Sequence, residues 1–300
     1  MDFAIPDKIT EDLEEFTGFL RAHMEPFLAE WYKREAIPRE FFQDLGKDGW
    51  LGFYLNNGEF VEQSYLKQTI LLEQLAKISP GVAVAIMVQI SLGMLPLYLF
   101  GSEKQKKPYL PPAFRGETLL CLGNTEHKAG SDVASIGMTA EKVEDGWVLN
   151  GTKAYVSNGA MSDLALITAV SDPDASRNRR LSMFLVDLSL SGVSRRKLNK
   201  RVWIPSDLTR LQFEDVFVPE ENLVGEQGRG LQQVLATFTQ SRIPISGLTL
   251  GTAVGAFEAG LDRAKKREIF GQKIVDFQAK SFEIADIFSR IEAARLLVWK

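Results

Sequence analysis

One nine-residue stretch concentrates side chains that could carry out chemistry. Residues 124–132 read NTEHKAGSD, and they include one of only two histidines in the 300-residue chain. We call this stretch the polar loop. Hydroxyl, carboxylate, imidazole and ammonium groups this close together are typical of a catalytic group, a metal site, a phosphate-binding loop or a polar turn. The residues elsewhere in the chain must separate these four interpretations.

Two of the four lack the partners they need. A metal ion at His127 would require further ligands, but the other histidine, His23, lies in a predicted amphipathic helix and Cys121 is the single cysteine. A serine hydrolase would use Ser131, yet the chain has no G-x-S-x-G, and a histidine four residues away does not make a triad. The sequence therefore predicts no metal site and no serine nucleophile.

The usual phosphate-binding motifs are also missing. No G-x-G-x-x-G follows a predicted strand, and G-x-x-x-x-G-K-[ST] is absent. By composition alone, a surface turn between two strands is the leading interpretation, because Thr, Gly, Ser and Asp suit turn geometry. A cofactor loop is the alternative, and it needs specific evidence from other motifs.

Three regions with different periodicity must position the polar loop. Residues 1–115 repeat apolar positions at helical spacing, with a break at 56–58, and predict an all-helical domain. Residues 116–228 hold short β-branched or alternating runs, which predict a central antiparallel β domain. Helical spacing returns over 229–300 and stops without a cap, so we expect a C-terminal helical bundle that is cut short at residue 300.

This order of helices, then strands, then helices predicts an α+β fold without βαβ alternation, which excludes the doubly wound dinucleotide-binding folds. The longest apolar run covers residues 81–100. It is interrupted by Gln89, Ser91, Gly93 and Pro96. We therefore expect a buried helix that ends near the proline, and no membrane span.

Charge and cysteine content narrow the classes of partner. A formal net charge of −4 argues against a dedicated nucleic-acid-binding protein. The basic runs at 177–180 and 195–197 are predicted to lie on solvated loops. One cysteine excludes an intrachain disulfide, and the acidic start resembles no signal peptide, so we expect a cytoplasmic protein.

Five motifs together resemble the acyl-CoA dehydrogenase flavoprotein family in order and approximate spacing. They are LFGSEKQKKPYLPP (99–112), NTEHKAGSD (124–132), NGTKAYVSNG (150–159), LQFEDVFVPEENLVG (211–225) and RAKKREIFGQKIVDFQ (263–278). The resemblance spans essentially the whole chain. It implies FAD in a crevice between the β domain and the C-terminal helices. Family members include dehydrogenases, oxidases and monooxygenases on one architecture.

Under this resemblance, the polar loop is a cofactor loop. Thr125 would contact the flavin ring, and Ser131 would lie near the flavin and the pantetheine arm of the substrate. Tyr155 and Ser157 stand where the family has a tryptophan and a threonine, so they would cover the ring and reach a flavin nitrogen. Hydroxyl donors from a turn can stabilise the negative charge of a reduced flavin.

The resemblance places a second cofactor-binding group in the C-terminal region. Arg267, Phe270 and Gln278 match family positions that hold the pyrophosphate and adenosine half of FAD from a neighbouring subunit. A bidentate guanidinium suits a diphosphate. These contacts imply a homo-oligomer, either a dimer or a tetramer.

The implied reaction is α,β-dehydrogenation of an acyl-CoA. A carboxylate removes the α-proton, a hydride leaves the β-carbon for flavin N5, and electrons pass to an electron-transferring flavoprotein. In most relatives the glutamate would lie beyond Lys300, and in some it precedes the arginine that corresponds to Arg242. Ser241 occupies that second position here, so no catalytic residue is assigned.

The resemblance also suggests residues near the substrate, namely Ser131, Gln89, Ser91 and Arg242. Gln89 and Ser91 could equally be core groups with satisfied hydrogen bonds, and Arg242 could pair with a helix carboxylate. The resemblance implies that the segment 81–100 helps to form the acyl pocket. This segment contains no charged residue, which favours a neutral acyl group because a lone buried carboxylate is costly. Alternatives are a dehydrogenase of carrier-protein-bound acyl groups, an acyl-CoA oxidase, or a non-catalytic binding or scaffold relative.

Two segments depart from the family pattern. His127 replaces the usual proline after Thr-Glu and is followed by Lys128, and the two residues either add charge near the cofactor crevice or point to solvent. Lys200, Arg201 and Val202 replace a K-x-G and flank a region that faces the substrate in relatives, so the acyl group could be unusual.

Overall fold

The computed structural model describes residues 5–56 and 59–300. The helices before the sheet are α1 (Asp7–His23), α2 (Leu28–Arg34), α3 (Arg39–Lys47), α4 (Tyr65–Ile78), α5 (Pro80–Met87), α6 (Leu95–Phe100) and α7 (Glu103–Phe114). Ser79 and Ser102 begin α5 and α7 because their hydroxyls accept backbone amides of the first helical turn.

A β-hairpin interrupts these helices, so the all-helical prediction for residues 1–115 is wrong at one place. Strand β1 (Phe53–Asn56) pairs antiparallel with β2 (Glu59–Glu62). The break predicted at 56–58 falls between the two strands, and residues 57–58 lie outside the described part. Strands of four residues carry too little periodicity to be separated from a break between helices.

The long apolar segment is a buried helix, as predicted. Helix α5, a π-helical segment (Val88–Met94) and α6 follow one another without a gap. Residues 80–100 have the length and hydropathy of a membrane span, but 83% of the most apolar window is buried inside the protein. The predicted end near Pro96 is wrong. Pro96 follows the π-helical turn, where the regular hydrogen-bond ladder is already interrupted, and the helix continues to Phe100.

The central sheet contains β3 (Leu120–Gly123), β4 (Thr139–Val143), β5 (Gly146–Ser157), β6 (Leu164–Val170), β7 (Leu181–Asp187), β8 (Val193–Lys197), β9 (Leu208–Pro219) and β10 (Leu223–Val224). Its order is β10-β7-β6-β4-β5-β9-β8, and β3 pairs with β6. Strands β3 and β4 run parallel to β6. The predicted antiparallel domain is therefore a mixed sheet, because β3 joins β6 across intervening strands and no hairpin fixes its direction.

Strand β6 is buried at all seven positions, in agreement with its continuous apolar run LALITAV. The surrounding apolar core is continuous from Phe16 in α1 through the sheet to Leu248 in the C-terminal region. The sheet and the N-terminal helices therefore share one core, and the polar loop packs against this core.

The C-terminal region consists of α8 (Gly230–Lys266), β11 (Glu268–Ile269), β12 (Gln272–Lys273) and α9 (Gln278–Trp299). The hairpin of β11 and β12 separates the two predicted helical runs. Helices α8 and α9 line an apolar cleft of about 910 Å³. The predicted boundaries between domains, at 115/116 and 228/229, stay predictions.

Helix α8 lies against α4 along a row of glycines. A Cβ atom on Gly247, Gly251 or Gly255 would lie 2.3, 2.0 or 2.2 Å from a backbone oxygen of α4. The three oxygens belong to Thr69, Glu73 and Lys77. The two helices can approach this closely only because these positions have no side chain.

Candidate functional site

A buried ion pair holds the polar loop against β5. The Lys153 side chain is fully buried, and its Nζ lies 2.7 Å from Glu126 Oε1 and 3.2 Å from the backbone oxygen of Asn124. The Glu126 carboxylate also accepts the backbone amides of Gly137 and Met138 at 2.8 and 3.0 Å. These bonds tie the loop to β5 and to the segment that leads into β4.

The pair titrates differently from free side chains. Burial lowers the pKa of Lys153 to about 8, although the Glu126 carboxylate opposes this shift. Burial alone would raise the pKa of Glu126, but the Lys153 charge and the hydrogen bonds from Lys153, Gly137 and Met138 lower it below its ordinary value. Glu126 is therefore ionised at neutral pH and paired with a lysine that still carries its proton.

A tight turn forms the tip of the polar loop. The Glu126 amide donates to Ala129 O at 2.9 Å, and the Ala129 amide donates to Glu126 O at 3.2 Å. His127 and Lys128 occupy the two exposed positions between them. The His127 ring meets the Tyr155 ring edge-on, with centroids 6.0 Å apart. Both side chains are exposed to solvent, as one of the two expectations had it, and His127 also contacts Tyr155, which is predicted to cover the flavin.

Tyr155 stands on a distorted part of β5. The register with β9 shifts between Lys153 and Val156, and Tyr155 itself has φ of 56°, in the left-handed region that side chains rarely adopt. The Ala154 amide donates to Thr125 O at 2.8 Å, which fixes the bulge to the polar loop. As a result the Tyr155 side chain is 54% exposed and lies beside the loop.

Three predicted cofactor-binding hydroxyls are available to a ligand. Within the described residues, the side chains of Thr125, Ser131 and Ser157 make no hydrogen bond. Thr125 and Ser157 are half-buried, and Ser131 is exposed. Free hydroxyl donors beside an exposed aromatic ring fit the polar edge and the flat face of a flavin. The donor set on the sheet therefore fits FAD.

The predicted residues of the C-terminal region lie on exposed elements. Arg267 directly follows α8, Phe270 is 96% exposed at the tip of the β11–β12 hairpin, and Gln278 begins α9. The Arg267 guanidinium makes no ion pair or hydrogen bond with the part of the chain that the structure describes. A free guanidinium fits a diphosphate, but the structure brings none of the three into contact with the polar loop within this chain.

Helix α8 carries Ser241, at the alternative position of the catalytic carboxylate, and Arg242, which the resemblance places near the substrate. The Ser241 hydroxyl donates to the backbone oxygen of Phe238 at 3.0 Å, so it supplies no base. Arg242 is exposed and forms no ion pair with the carboxylates in the described ranges, which leaves its charge available.

Gln89 requires a correction. Its side chain is fully buried, and its amide nitrogen donates to the backbone oxygens of Ala113 and Thr118 at 3.3 and 3.0 Å. Its amide oxygen accepts the backbone amide of Leu120 at 2.7 Å. Because both ends of the amide are used, Gln89 is a core residue that joins the π-helical segment to β3, and it does not face a substrate. Ser91 is also buried, with 2% exposure.

The unusual segment after β8 packs on the buried apolar helix. A Cβ atom on Gly81, in the first turn of α5, would lie 2.1 Å from the backbone oxygen of Ile204. Lys200 donates to Trp203 O and to Ser206 Oγ, both at 2.6 Å. Burial lowers the pKa of Lys200 to about 8, against the opposing charge of Asp207. The segment thus covers one end of the helix that the resemblance assigns to the acyl pocket.

The basic run at 177–180 is partly engaged with the polar loop. Arg177 is exposed and pairs with Asp132, the last residue of the loop. Arg180 is half-buried and donates to Ile136 O at 3.0 Å. The prediction of a purely solvated loop is therefore wrong for Arg180, because its guanidinium supports the chain that follows the polar loop.

Sequence reasoning missed the buried pair of Lys153 and Glu126. A signal was present, since Lys153 occupies an inward position of a strand in which Trp147 and Leu149 also point inward. A lysine at such a position requires a buried acceptor or carboxylate. The partner lies 27 residues away on the polar loop, so the pairing depends on how the chain folds and not on local sequence.

Comparison with known proteins covers the whole chain. Family models match residues 10–117 (acyl-CoA dehydrogenase, N-terminal domain), 121–216 (middle domain) and 228–300 (C-terminal domain). An acyl-CoA dehydrogenase of Bacillus subtilis is 33% identical over 94% of this chain and 74% of its own length. Subunit CarC of the caffeyl-CoA reductase-Etf complex of Acetobacterium woodii is 33% identical over 88% of this chain and 70% of its own length. The butyryl-CoA dehydrogenase structure from Megasphaera elsdenii has a TM-score of 0.92 and 31% identity, over all of this chain and 79% of that one.

Proposed function

Since the chain belongs to the acyl-CoA dehydrogenase family, we propose that it oxidises the Cα–Cβ bond of a CoA thioester that carries a neutral acyl group. The family consists of flavin-dependent oxidoreductases that act on CH–CH bonds, and its cofactor is FAD. When bound, FAD supplies the hydride acceptor. The residues of this chain bind it, orient it and exclude water.

The polar loop and β5 supply the hydrogen-bond donors for the cofactor. Thr125 and Ser157 present half-buried hydroxyls toward the cofactor edge, and exposed Ser131 supports contact with the pantetheine arm. The Tyr155 ring covers one face and keeps water from it, because its backbone is fixed in the left-handed conformation by the bulge. These donors stabilise negative charge that develops on reduction.

The acyl group is proposed from one observation. The helix formed by residues 80–100 is 83% buried over its most apolar window, and no charged residue interrupts positions 81–100. A dicarboxylic acyl group would place a second carboxylate against this helix without a charged partner, at a cost of roughly 2 kcal/mol or more. A neutral acyl chain or ring has no such cost.

The electron acceptor and the assembly follow by analogy. The Acetobacterium woodii relative is named as a subunit of an Etf complex, which supports an electron-transferring flavoprotein as the partner here. The free guanidinium of Arg267 and the exposed Phe270 support a homo-oligomer in which this hairpin meets FAD of a neighbouring subunit. The carboxylate that removes the α-proton is not assigned, because Ser241 is not an acid.

An anaerobic titration tests this proposal. The purified protein with FAD is mixed with butyryl-CoA, octanoyl-CoA, 3-phenylpropionyl-CoA or glutaryl-CoA, and the oxidised flavin band is followed. We expect at least one neutral ester to bleach the band and glutaryl-CoA to leave it unchanged. Bleaching by glutaryl-CoA alone would contradict the neutral acyl group. No bleaching by any ester would contradict acyl-CoA oxidation and favour a carrier-bound substrate or a non-catalytic role.

A further inference from the structure

The buried pair of Lys153 and Glu126 fixes the residues on both sides of Thr125, which is proposed to contact the flavin. Lys153 Nζ binds the backbone oxygen of Asn124 on one side of Thr125 and the carboxylate of Glu126 on the other. The Ala154 amide binds the backbone oxygen of Thr125 itself. Three consecutive loop residues are therefore fixed by two consecutive residues of β5.

The same strand residues fix the aromatic cover. Tyr155 follows Ala154 directly, and its left-handed backbone costs about 1–3 kcal/mol unless the surroundings enforce it. The bonds from Lys153 and Ala154 to the loop lie at the start of this bulge. The bonds from Lys153 and Ala154 therefore link the loop segment that carries Thr125 to the bulge that carries Tyr155.

Stability alone does not account for a charged pair at this position. The Lys153 side chain has no exposure and that of Glu126 has 13%. Replacement of a buried ion pair by apolar groups of similar volume is often neutral or stabilising, by about 1–4 kcal/mol. The ion pair also forms directional hydrogen bonds to the loop backbone and to the amides of Gly137 and Met138, which an apolar pair would not form.

We infer that Lys153 and Glu126 are positioning residues for FAD, because their ion pair holds Thr125 and Tyr155 in the relative position that binds the flavin. This inference rests on the proposed flavin function. Neither residue touches the cofactor, and both act through the loop and the bulge. The buried pair extends to Asn124, whose side-chain oxygen accepts the Thr168 hydroxyl at 2.9 Å.

The test compares three variants with the wild-type protein. Lys153→Met removes the ammonium, and Glu126→Gln keeps the shape of the side chain but removes its charge. Lys142→Met is the matched control, because Lys142 is an exposed lysine of the neighbouring strand β4 that pairs with Glu220. The dissociation constant of FAD is measured by flavin fluorescence, and hydrogen exchange is measured on the apoprotein at the amides of Ala129, Met138 and Ala154.

We expect FAD to bind about tenfold more weakly or worse to Lys153→Met, the usual size of effect for a lost orienting residue, and severalfold more weakly to Glu126→Gln. The three amides should exchange faster in both variants, and Lys142→Met should match the wild type. Should Lys153→Met fail to fold, Glu126→Gln decides. Unchanged FAD affinity in folded Lys153→Met or Glu126→Gln would overturn the inference. Failure of the wild type to bind FAD would instead defeat the proposed function, and the exchange data would still report whether the pair holds the loop.

Discussion

Helix α8 makes two contacts of opposite character. Toward α4, three glycines at every fourth position let the helix backbones touch. Toward α9, the two helices diverge around an apolar cleft of about 910 Å³. Of the 22 residues of α9, all within the described ranges, only Ile291 is buried.

Within one chain, the position of α8 relative to α4 is therefore closely defined, whereas the position of α9 relative to α8 is less closely defined. The α4 contact sets the distance of α8 from the N-terminal helices, and with it the position of Arg242. Helix α9 is held by a small cluster of Leu250, Val254 and Ile291 and by polar bonds to Glu73 in α4. The part of α8 that carries Arg242, a predicted substrate residue, is therefore packed more closely than the hairpin and α9, which carry the predicted residues Phe270 and Gln278.

The largest expected effect tests the close contact. Gly251→Ala would place a Cβ atom 2.0 Å from Glu73 O, so α8 must move, and we expect the free energy of unfolding to fall by about 2–3 kcal/mol. Gly260→Ala is the control, because nothing lies within 4 Å of its Cβ position. That variant should gain up to about 1 kcal/mol from helix propensity. Urea unfolding of both variants measures the difference, and equal stability would break the comparison.

The next effect tests the polar attachment of α9. Arg295 Nε and Trp299 Nε1 each donate to Glu73 at 2.9 Å, and Glu73 is 8% exposed. Arg295→Met leaves that carboxylate with one donor, so we expect a loss of about 2 kcal/mol. Arg290→Met removes only an exposed pair with Asp286 and should change stability by less than about 0.5 kcal/mol. Similar thermal unfolding of the two variants would show that Glu73 does not anchor α9.

A smaller effect is expected for the apolar attachment. Ile291→Ala removes the one buried side chain of α9 from a cluster that is open on one side, so we expect a loss of about 1–2 kcal/mol, below the range for a closed core. Leu297 lies six residues later on α9 and is 80% exposed. Leu297→Ala should stay within about 0.5 kcal/mol of the wild type. A loss at Leu297 as large as that at Ile291 would show that the face carrying Leu297 is covered in solution.

The smallest effect concerns the surface charge pair between α4 and α8. Lys77 Nζ lies 2.7 Å from Glu258 Oε1, and the two side chains are 33% and 51% exposed. Lys77→Met should lower stability by less than about 1 kcal/mol, and the difference should vanish in high salt because exposed charges are screened. Urea unfolding at low and high sodium chloride measures this. A large loss that high salt removes would show that the ion pair, and not the glycine contact alone, holds α8 against α4.

Much of the fold follows from periodicity, and the exceptions share a cause. The continuous run LALITAV and the alternating segment before Tyr155 predicted β6 and β5 correctly, because side-chain burial along one strand is a local property. The parallel pairing of β3 with β6 was not predicted, since strand direction depends on the path of the chain through space. The hairpin at residues 53–62 was missed because its strands are only four residues long.

The candidate site divides in the same way. The motifs predicted four cofactor-binding residues on the polar loop and β5: Thr125, Ser131, Tyr155 and Ser157. In the structure, the hydroxyls of Thr125, Ser131 and Ser157 form no hydrogen bond within the described residues, and the Tyr155 ring is exposed. Their roles stay predictions. The inward position of Lys153 indicated that it needs a buried partner, but no local pattern identified Glu126, which lies 27 residues away in the sequence. Gln89 was suggested as a substrate residue through the resemblance, with a hydrogen-bonded core group as the alternative, and its bonds to distant backbone groups match the alternative.

The π-helical segment between α5 and α6 has an evolutionary consequence. A π-helical turn, such as the one closed by the bond from the Leu95 amide to Ile90 O, contains one residue more than an α-helical turn. Loss of one residue from Val88–Met94 would therefore restore a regular helix and leave α6 with nearly the same rotation relative to α5, because the wider turn already absorbs the additional residue. Loss of one residue from α5 or from the start of α6 would instead rotate the residues that follow by about 100°, and Leu97, now fully buried, would leave the core. Deletions that survive in lineages of this chain should therefore fall within Val88–Met94 and spare Gln89, which bonds to β3.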